Sequence, residues 1–228
     1  MNKKRYPIWL AVPGLLIYII IFIIPTFASF YFSMTTWNLK SAVFTGLDNF
    51  VSFFTMTSTR SALINTAIYA TVTCSAKVVL GLLIAQYVCS GIRSGNYLKI
   101  IVFFPTLLGN VVIGTAFQSV LDPAGIVNQA LSAIGLPAVR FLTDKSIALA
   151  TCCAIDIWKG LGTAVIIFVA GLSAIPKDYY EASAIDGATG IKNFTKITLP
   201  LMIPTINTVL TLSLIGGLRD YDLIYTLT

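Results

Sequence analysis

Long runs of uncharged, mostly apolar residues are the feature that most restricts how this chain can fold. Three runs contain no Asp, Glu, Lys or Arg, and they cover residues 6–39, 100–121 and 197–218. A helix needs roughly 20 residues to cross the ~30 Å hydrocarbon core of a bilayer. Because lipid offers no hydrogen-bond partners to the backbone, a segment that crosses it must satisfy those groups internally. These runs therefore predict membrane-spanning helices.

Two further apolar runs carry charges. Residues 61–89 include Lys77, and residues 146–172 include Asp156 and Lys159. Ionisable groups inside a membrane are costly and usually face a cavity or a partner. We therefore predict an all-α fold, a polytopic membrane helix bundle. The predicted single domain covers residues 1–228, with five spans near 9–34, 61–89, 99–121, 146–172 and 198–219 and a polar loop at 176–197.

Composition supports this class and argues against several others. Hydrophobic residues make up 57% of the chain and charged residues 11%, whereas a typical soluble domain has roughly 25% charged residues. The chain has no His, its four Cys lack metal-ligand spacing, and it has no Gly-x-x-x-x-Gly-Lys-Ser/Thr phosphate loop. We therefore expect no catalytic residue, no metal and no cofactor. The Cys residues are interpreted as small apolar fillers at helix contacts.

The distribution of positive charge predicts the topology. Lys and Arg concentrate at the N-terminus, between the second and third spans, and after the fourth span. These residues are Lys3, Lys4, Arg5, Arg93, Lys99, Lys177, Lys192 and Lys196. The positive-inside rule places them, and the N-terminus, in the cytoplasm, and it places the connections at 40–60 and 122–145 outside. The net charge of +6 thus follows from topology, and no basic stripe predicts nucleic-acid binding.

A polar, Ala-rich segment separates the fourth and fifth spans. Pro176 should end the preceding helix, and Asp178 followed by Glu181 is similar to a capping box that begins a new one. Gly187 and Gly190 should then end this short helix. Small side chains along it would let its backbone approach a partner surface closely. They are Ala182, Ala184 and Ala188.

The same segment resembles the cytoplasmic coupling loop of bacterial ABC import permeases, in their carbohydrate-uptake branch. The matching residues are Glu181-Ala182-Ser183, Gly187 and Ile197-Thr198-Leu199-Pro200, with Ser183 in place of a second Ala. Further matches are Gly46-Leu47-Asp48-Asn49-Phe50, Phe103-Phe104-Pro105 and Trp158-Lys159-Gly160. The resemblance implies that a coupling helix contacts an ATPase. Its implied contact residues are Tyr180, Glu181, Ala182, Ser183, Ala184, Asp186, Gly187 and Ala188.

The resemblance also implies a function. The chain would be the permease subunit of an ATP-driven importer for a sugar, an oligosaccharide or a related solute, in the bacterial inner membrane. Its implied protein partners are ABC ATPase subunits, a second and different permease, and an extracytoplasmic solute-binding protein. The ATPase subunits would hydrolyse the ATP, and the lipid bilayer would surround the permease. Because members of this branch have six spans and residues 222–228 match the segment before the last one, we expect a permease truncated before its sixth helix.

Several roles stay open. Polar or aromatic candidates for the substrate pathway are Asn110, Gln118, Trp158, Arg219 and Tyr221. Asp156 and Lys159 could neutralise each other along one helix while Lys77 reaches the interface. Alternatively, these charges could line a water-filled pathway or form an ion pair between helices, with Lys77 in an interior network. The group of Arg219, Asp220 and Asp222 fits either a contact for the external binding protein or an ordinary interfacial flank.

Two alternative functions are compatible with these features. A proton-coupled secondary carrier could use Asp156 and Lys159 directly and would need no ATPase. An inactive, truncated permease fragment would insert into the membrane but would not assemble with partners.

Overall fold

The computed structural model describes residues 8–38, 41–91 and 95–228, which are mostly helical. Within them the helices are α1 Trp9–Ser33, α2 Asp48–Thr55, α3 Thr57–Cys89, α4 Gly95–Phe103, α5 Asn110–Val120, α6 Ile126–Ala133, α7 Ala148–Ser173, α8 Lys177–Ile185, α9 Ile191–Leu201, α10 Ile203–Arg219 and α11 Asp222–Leu227. Two short strands, β1 Thr35–Trp37 and β2 Ala42–Phe44, form an antiparallel hairpin after α1.

Four of the residues used to predict the topology lie outside the described residues, namely Lys3, Lys4, Arg5 and Arg93. The chain divides between Leu63 and Ile64 into two compact units.

The first unit contains α1, the hairpin and α2. Helix α1 has a π-helical stretch at Ile19–Ile23, which ends two residues before Pro25. A proline ring clashes with the carbonyl four residues earlier and provides no N–H, so the wider π turn accommodates it. The hairpin pairs Thr35 with Phe44, and Trp37 with Ala42.

The second unit contains most of the long helix α3, the long helix α7 and two bent helix pairs. Helix α4 continues as a 3-10 turn at Phe104–Leu107 and then bends by 96° into α5. Helix α9 meets α10 at 66°. In the described part of the chain, three helices are long and apolar enough to cross a membrane, or up to five if each bent pair is one span. The predicted all-helical membrane fold is therefore confirmed.

Two apolar clusters form the core of this unit. One joins α3, α5, α7 and α11 and consists of Tyr69, Ile113, Cys152, Cys153, Ile155, Leu223 and Leu227. The other joins α3, α7 and α10, with Met202 at the bend, and consists of Leu82, Ala85, Ala164, Phe168, Leu172, Met202 and Val209. Small residues let these helices approach closely, because a Cβ on Gly217 would lie only 2.9 Å from the Cα of Ala70. Cys74 is buried like Cys152 and Cys153, whereas Cys89 is exposed.

Candidate functional site: an interhelical charge network and an exposed loop

A buried ion pair joins the two long helices of the second unit. The ammonium of Lys77 on α3 lies 2.6 Å from Oδ2 of Asp156 on α7, and each side chain is only 9% exposed. Gly160, one turn beyond Asp156, provides the space for it. A Cβ at that position would lie 2.6 Å from Cε of Lys77 and 2.8 Å from its Nζ. A larger residue at position 160 would therefore require the lysine side chain to shift.

Lys159 does not pair with Asp156, so the simple pairing along one helix is wrong. Its ammonium donates instead to Oδ1 of Asn110, at the start of α5. A side chain three residues further along a helix lies about 60° around the axis. The two charged groups of α7 therefore point towards different neighbouring helices.

The network continues to the end of α10. The Asn110 amide donates to Oδ1 of Asp220 at 3.3 Å, and the Tyr69 hydroxyl donates to Oδ2 of Asp220 at 2.9 Å. Burial raises the pKa of the Asp220 carboxyl, which lies one residue beyond α10, although the hydrogen bond from Tyr69 opposes this shift. Tyr69 and Asp220 thus connect α3, α5 and α10 through side-chain hydrogen bonds.

The network balances its charges. Lys77 and Lys159 contribute two positive charges, and Asp156 and Asp220 contribute two carboxylates. Desolvated charges are tolerated when they are paired and hydrogen-bonded. The network therefore fits a helix bundle in lipid, and it holds α3, α5, α7 and the end of α10 together.

A small cavity adjoins the ion pair. It measures about 180 Å³ and lies between α3, α7 and α10. Its lining residues are Lys77, Gly160, Thr163, Ala164, Ile167, Val209, Leu212, Ser213 and Gly216. Hydroxyls of Thr163 and Ser213 beside an ammonium can bind water or the hydroxyl of a solute.

The remaining candidates for the substrate pathway lie outside this network. Trp158 is 45% exposed, and its ring packs edge-on against Phe117 with centroids 5.4 Å apart. Gln118, Arg219 and Tyr221 are exposed. Sequence reasoning missed Tyr69 altogether and assigned Asp220 to an outer surface. A carboxylate two residues after the apolar run was the only sequence signal for Asp220.

The coupling loop begins at Pro176, which precedes α8. The N-cap residue of α8 is Pro176, two residues before Asp178, and α8 begins without a side-chain capping hydrogen bond, so the predicted capping box was wrong. Helix α8 ends at Ile185, and the chain then turns through Gly187 at φ +74° and Gly190 at φ +56°. These left-handed conformations suit glycine.

One face of α8 packs on the protein and the other is exposed. Ser183 is buried, and the Tyr180 hydroxyl lies 3.3 Å from Oγ1 of Thr198 in α9. Glu181, Ala182, Ala184 and Asp186 are exposed, Ala188 is half-buried, and Ile185 is 88% exposed. Ile185 is therefore the most exposed large apolar side chain of α8.

Residues 77–228 match the family described as "binding-protein-dependent transport system inner membrane component". This stretch is more than half of the chain, and it includes the coupling loop and all of the charge network except Tyr69. The chain belongs to this family of permeases. Members are translocation subunits in the inner membrane.

Similar proteins extend the likeness over almost the whole permease. It is 29% identical over 229 residues to the arabinooligosaccharides transport system permease protein AraP of Bacillus subtilis (strain 168), which covers 99% of this chain and 73% of AraP. It is 29% identical to the trehalose/maltose transport system permease protein MalF of Thermococcus litoralis, over 95% of this chain and 74% of MalF. Both relatives are named as sugar permeases.

A solved importer has the same fold. The crystal structure of a bacterial ABC transporter that imports the acidic polysaccharide alginate aligns with a TM-score of 0.76 and 26% identity, over 96% of this permease and 80% of that chain. The same transporter in complex with an alginate pentasaccharide-bound periplasmic protein aligns with a TM-score of 0.73.

Proposed function

We propose that this permease moves a sugar or oligosaccharide into the cell as a subunit of an ATP-driven importer. The observation that carries the proposal is the likeness, over almost all of this chain, to permeases named for arabinooligosaccharides and for trehalose and maltose. The apolar helices and their interior polar network are consistent with a protein that conducts a polar solute through lipid. The permease itself makes no covalent change to its cargo.

In this proposal, α8 is the helix that receives force from an ATPase subunit. Its exposed side chains, among them Ile185 in the last turn, would bind in a pocket on the ATPase. The hydrogen bond between Tyr180 and Thr198 would then transmit the movement of α8 to α9. The N-terminus would then lie in the cytoplasm, as would the coupling loop at 176–197. A second, different permease and an extracytoplasmic solute-binding protein would complete the importer.

The charge network would make part of the bundle move as one body. Lys77, Asp156, Asn110 and Asp220 connect α3, α5, α7 and the end of α10. Alternating access requires groups of helices that stay rigid while the cavity between them opens to one side and then to the other. Trp158, Gln118, Arg219 and Tyr221 would line the solute route beside this body.

The first experiment identifies the partners. The permease is tagged at its N-terminus, purified from membranes of its native host in mild detergent, and its co-purifying proteins are identified by mass spectrometry. We expect an ATPase, a second permease and a solute-binding protein. If the permease is purified alone, the importer is contradicted and the inactive fragment is favoured. Uptake driven by a pH gradient without ATP would favour a secondary carrier.

A pair of matched variants tests the coupling helix in the same assay. Ile185→Asp replaces the 88% exposed side chain of α8, and we expect it to lose the ATPase while it remains in the membrane. Ile134→Asp is the control, because Ile134 is 72% exposed but follows α6 on the side that we place outside. Equal recovery of the ATPase with both variants would contradict docking through α8.

A further inference from the structure

The short helix α2 is attached to the point where α1 ends. The side-chain amide of Asn49 donates to the carbonyl of Ser33, the last residue of α1, and to the carbonyl of Thr35, each at 3.0 Å. Helix α1 is apolar, is long enough to span a bilayer, and is 0% buried within the structure over its most hydrophobic window. Its end therefore marks a membrane surface, and the two hydrogen bonds from Asn49 hold α2 there.

Helix α2 separates its side chains into two faces. At 100° per residue, Asp48, Asn49, Ser52 and Thr55 lie on one side of the helix. The opposite side consists of Phe50, Val51, Phe53 and Phe54. All four of these apolar side chains are exposed, Val51 by 60% and Phe54 by 65%. The helix thus presents a large apolar face that nothing in its own unit covers.

The hairpin beside α2 also exposes large aromatic side chains. Trp37 stacks on Phe32 near the end of α1, with ring centroids 4.9 Å apart, and Trp37 is 53% exposed. Phe44 on the second strand is 67% exposed. Tryptophan and other aromatic side chains concentrate at the boundary between acyl chains and headgroups. The hairpin and α2 therefore both expose aromatic side chains near the end of α1.

We propose that α2 is an interfacial helix whose apolar face inserts into the leaflet at which α1 ends. The partner is phospholipid, at the boundary between acyl chains and headgroups. The chain enters this region from one span and leaves it directly into α3, so the bilayer is the apolar phase that always lies beside α2. The sole charged residue of α2, Asp48, lies on the polar side, as an interfacial helix requires. A solute-binding protein, which must dissociate into water in each cycle, would need a more polar contact.

Spin labels on the two faces test this proposal. Phe54→Cys and Ser52→Cys are made separately in a Cys89→Ser background, because Cys89 is exposed whereas Cys74, Cys152 and Cys153 are buried. The full chain is labelled, reconstituted into phosphatidylcholine and phosphatidylglycerol vesicles, and exposed to oxygen and to a water-soluble nickel chelate present on both sides. Oxygen concentrates in lipid, and the chelate stays in water.

We expect the label at position 54 to collide mainly with oxygen and the label at position 52 mainly with the chelate, with a severalfold difference in the collision ratio. Val51→Cys should repeat the result at position 54, because Val51 lies on the same face. Equal access of the chelate to both faces would place α2 in water and would overturn the proposal. Loss of access to both reagents at positions 51 and 54 would show a protein covering and would also overturn it.

Discussion

Lys77 and Asp156 lie 79 positions apart in the chain, yet their charged groups are 2.6 Å apart between two helices that are long enough to cross a membrane. Their side chains are almost completely shielded by neighbouring helices. Removing one partner of a buried ion pair leaves an uncompensated charge, which usually costs more than removing both. The pair should therefore stabilise the contact between these two helices, and substitutions on either helix can test this.

Lys77→Leu should destabilise the permease and impair uptake, because it leaves the Asp156 carboxylate without its cation. We expect a cost of about 3 kcal/mol in the free energy of unfolding, the order found for a broken buried pair. The thermal unfolding midpoint in detergent and sugar uptake at normal membrane abundance measure the two effects. The double variant Lys77→Leu with Asp156→Leu should recover much of the stability. Unchanged uptake by Lys77→Leu would disprove a role for the pair.

Gly160→Ala should displace Lys77 from Asp156, since the added Cβ would meet the lysine side chain at 2.6 Å. Gly216 lines the same cavity, and a Cβ there would meet nothing within 4 Å, so Gly216→Ala is the matched control. We expect a lower unfolding temperature and lower uptake for the first variant only. Equal unfolding temperatures and equal uptake in the two variants would mean that Lys77 can shift without weakening its contact with Asp156.

Asp220→Ala should leave the buried Tyr69 hydroxyl without an acceptor. An orphaned buried polar group costs about 1–3 kcal/mol. Asp222→Ala removes a carboxylate two residues away that is exposed at the start of α11, so it should cost less. Thermal unfolding of both variants measures the difference, and Asp220→Asn, which keeps one acceptor, should be intermediate. A larger cost for Asp222→Ala would contradict the network.

Gly187→Val should uncouple ATP hydrolysis from uptake without preventing membrane insertion. The φ of +74° at Gly187 disfavours a β-branched residue, so the turn after α8 would change shape and misplace the coupling helix. Asn tolerates this conformation better, and Gly187→Asn should retain most of the coupling. The number of ATP molecules hydrolysed for each sugar taken up, measured in proteoliposomes, reports the coupling. Normal uptake by Gly187→Val would count against the coupling function of this loop.

Cys89 offers a test of orientation without new cysteines. It is exposed at the end of α3, whereas Cys74, Cys152 and Cys153 are buried. If the N-terminus is cytoplasmic, a membrane-impermeant maleimide should label inside-out vesicles and not intact cells, and Cys89→Ser should remove the labelling. Labelling of intact cells would contradict a cytoplasmic N-terminus and would favour the opposite orientation.

Local patterns predicted several features correctly. The confirmed helical membrane fold follows from the apolar runs, because lipid leaves a spanning backbone little alternative to a helix. The turn after α8 followed from Gly187 and Gly190, whose positive φ angles only glycine adopts readily. The start of α8 was less well predicted, because Pro176 set it rather than a cap at Asp178. The coupling contacts and the route of the solute stay predictions.

The sequence by itself determined which long apolar segments are helical and which loop is polar, because those properties depend on neighbouring residues. The tertiary structure decided the partners of the buried charges. Asp156 contacts Lys77 on another helix instead of Lys159 three residues away, and Asp220 turns inward to Tyr69. Such choices depend on which helix faces meet and on where a glycine such as Gly160 leaves room. Those contacts form between segments far apart in the chain, so no local pattern contains them.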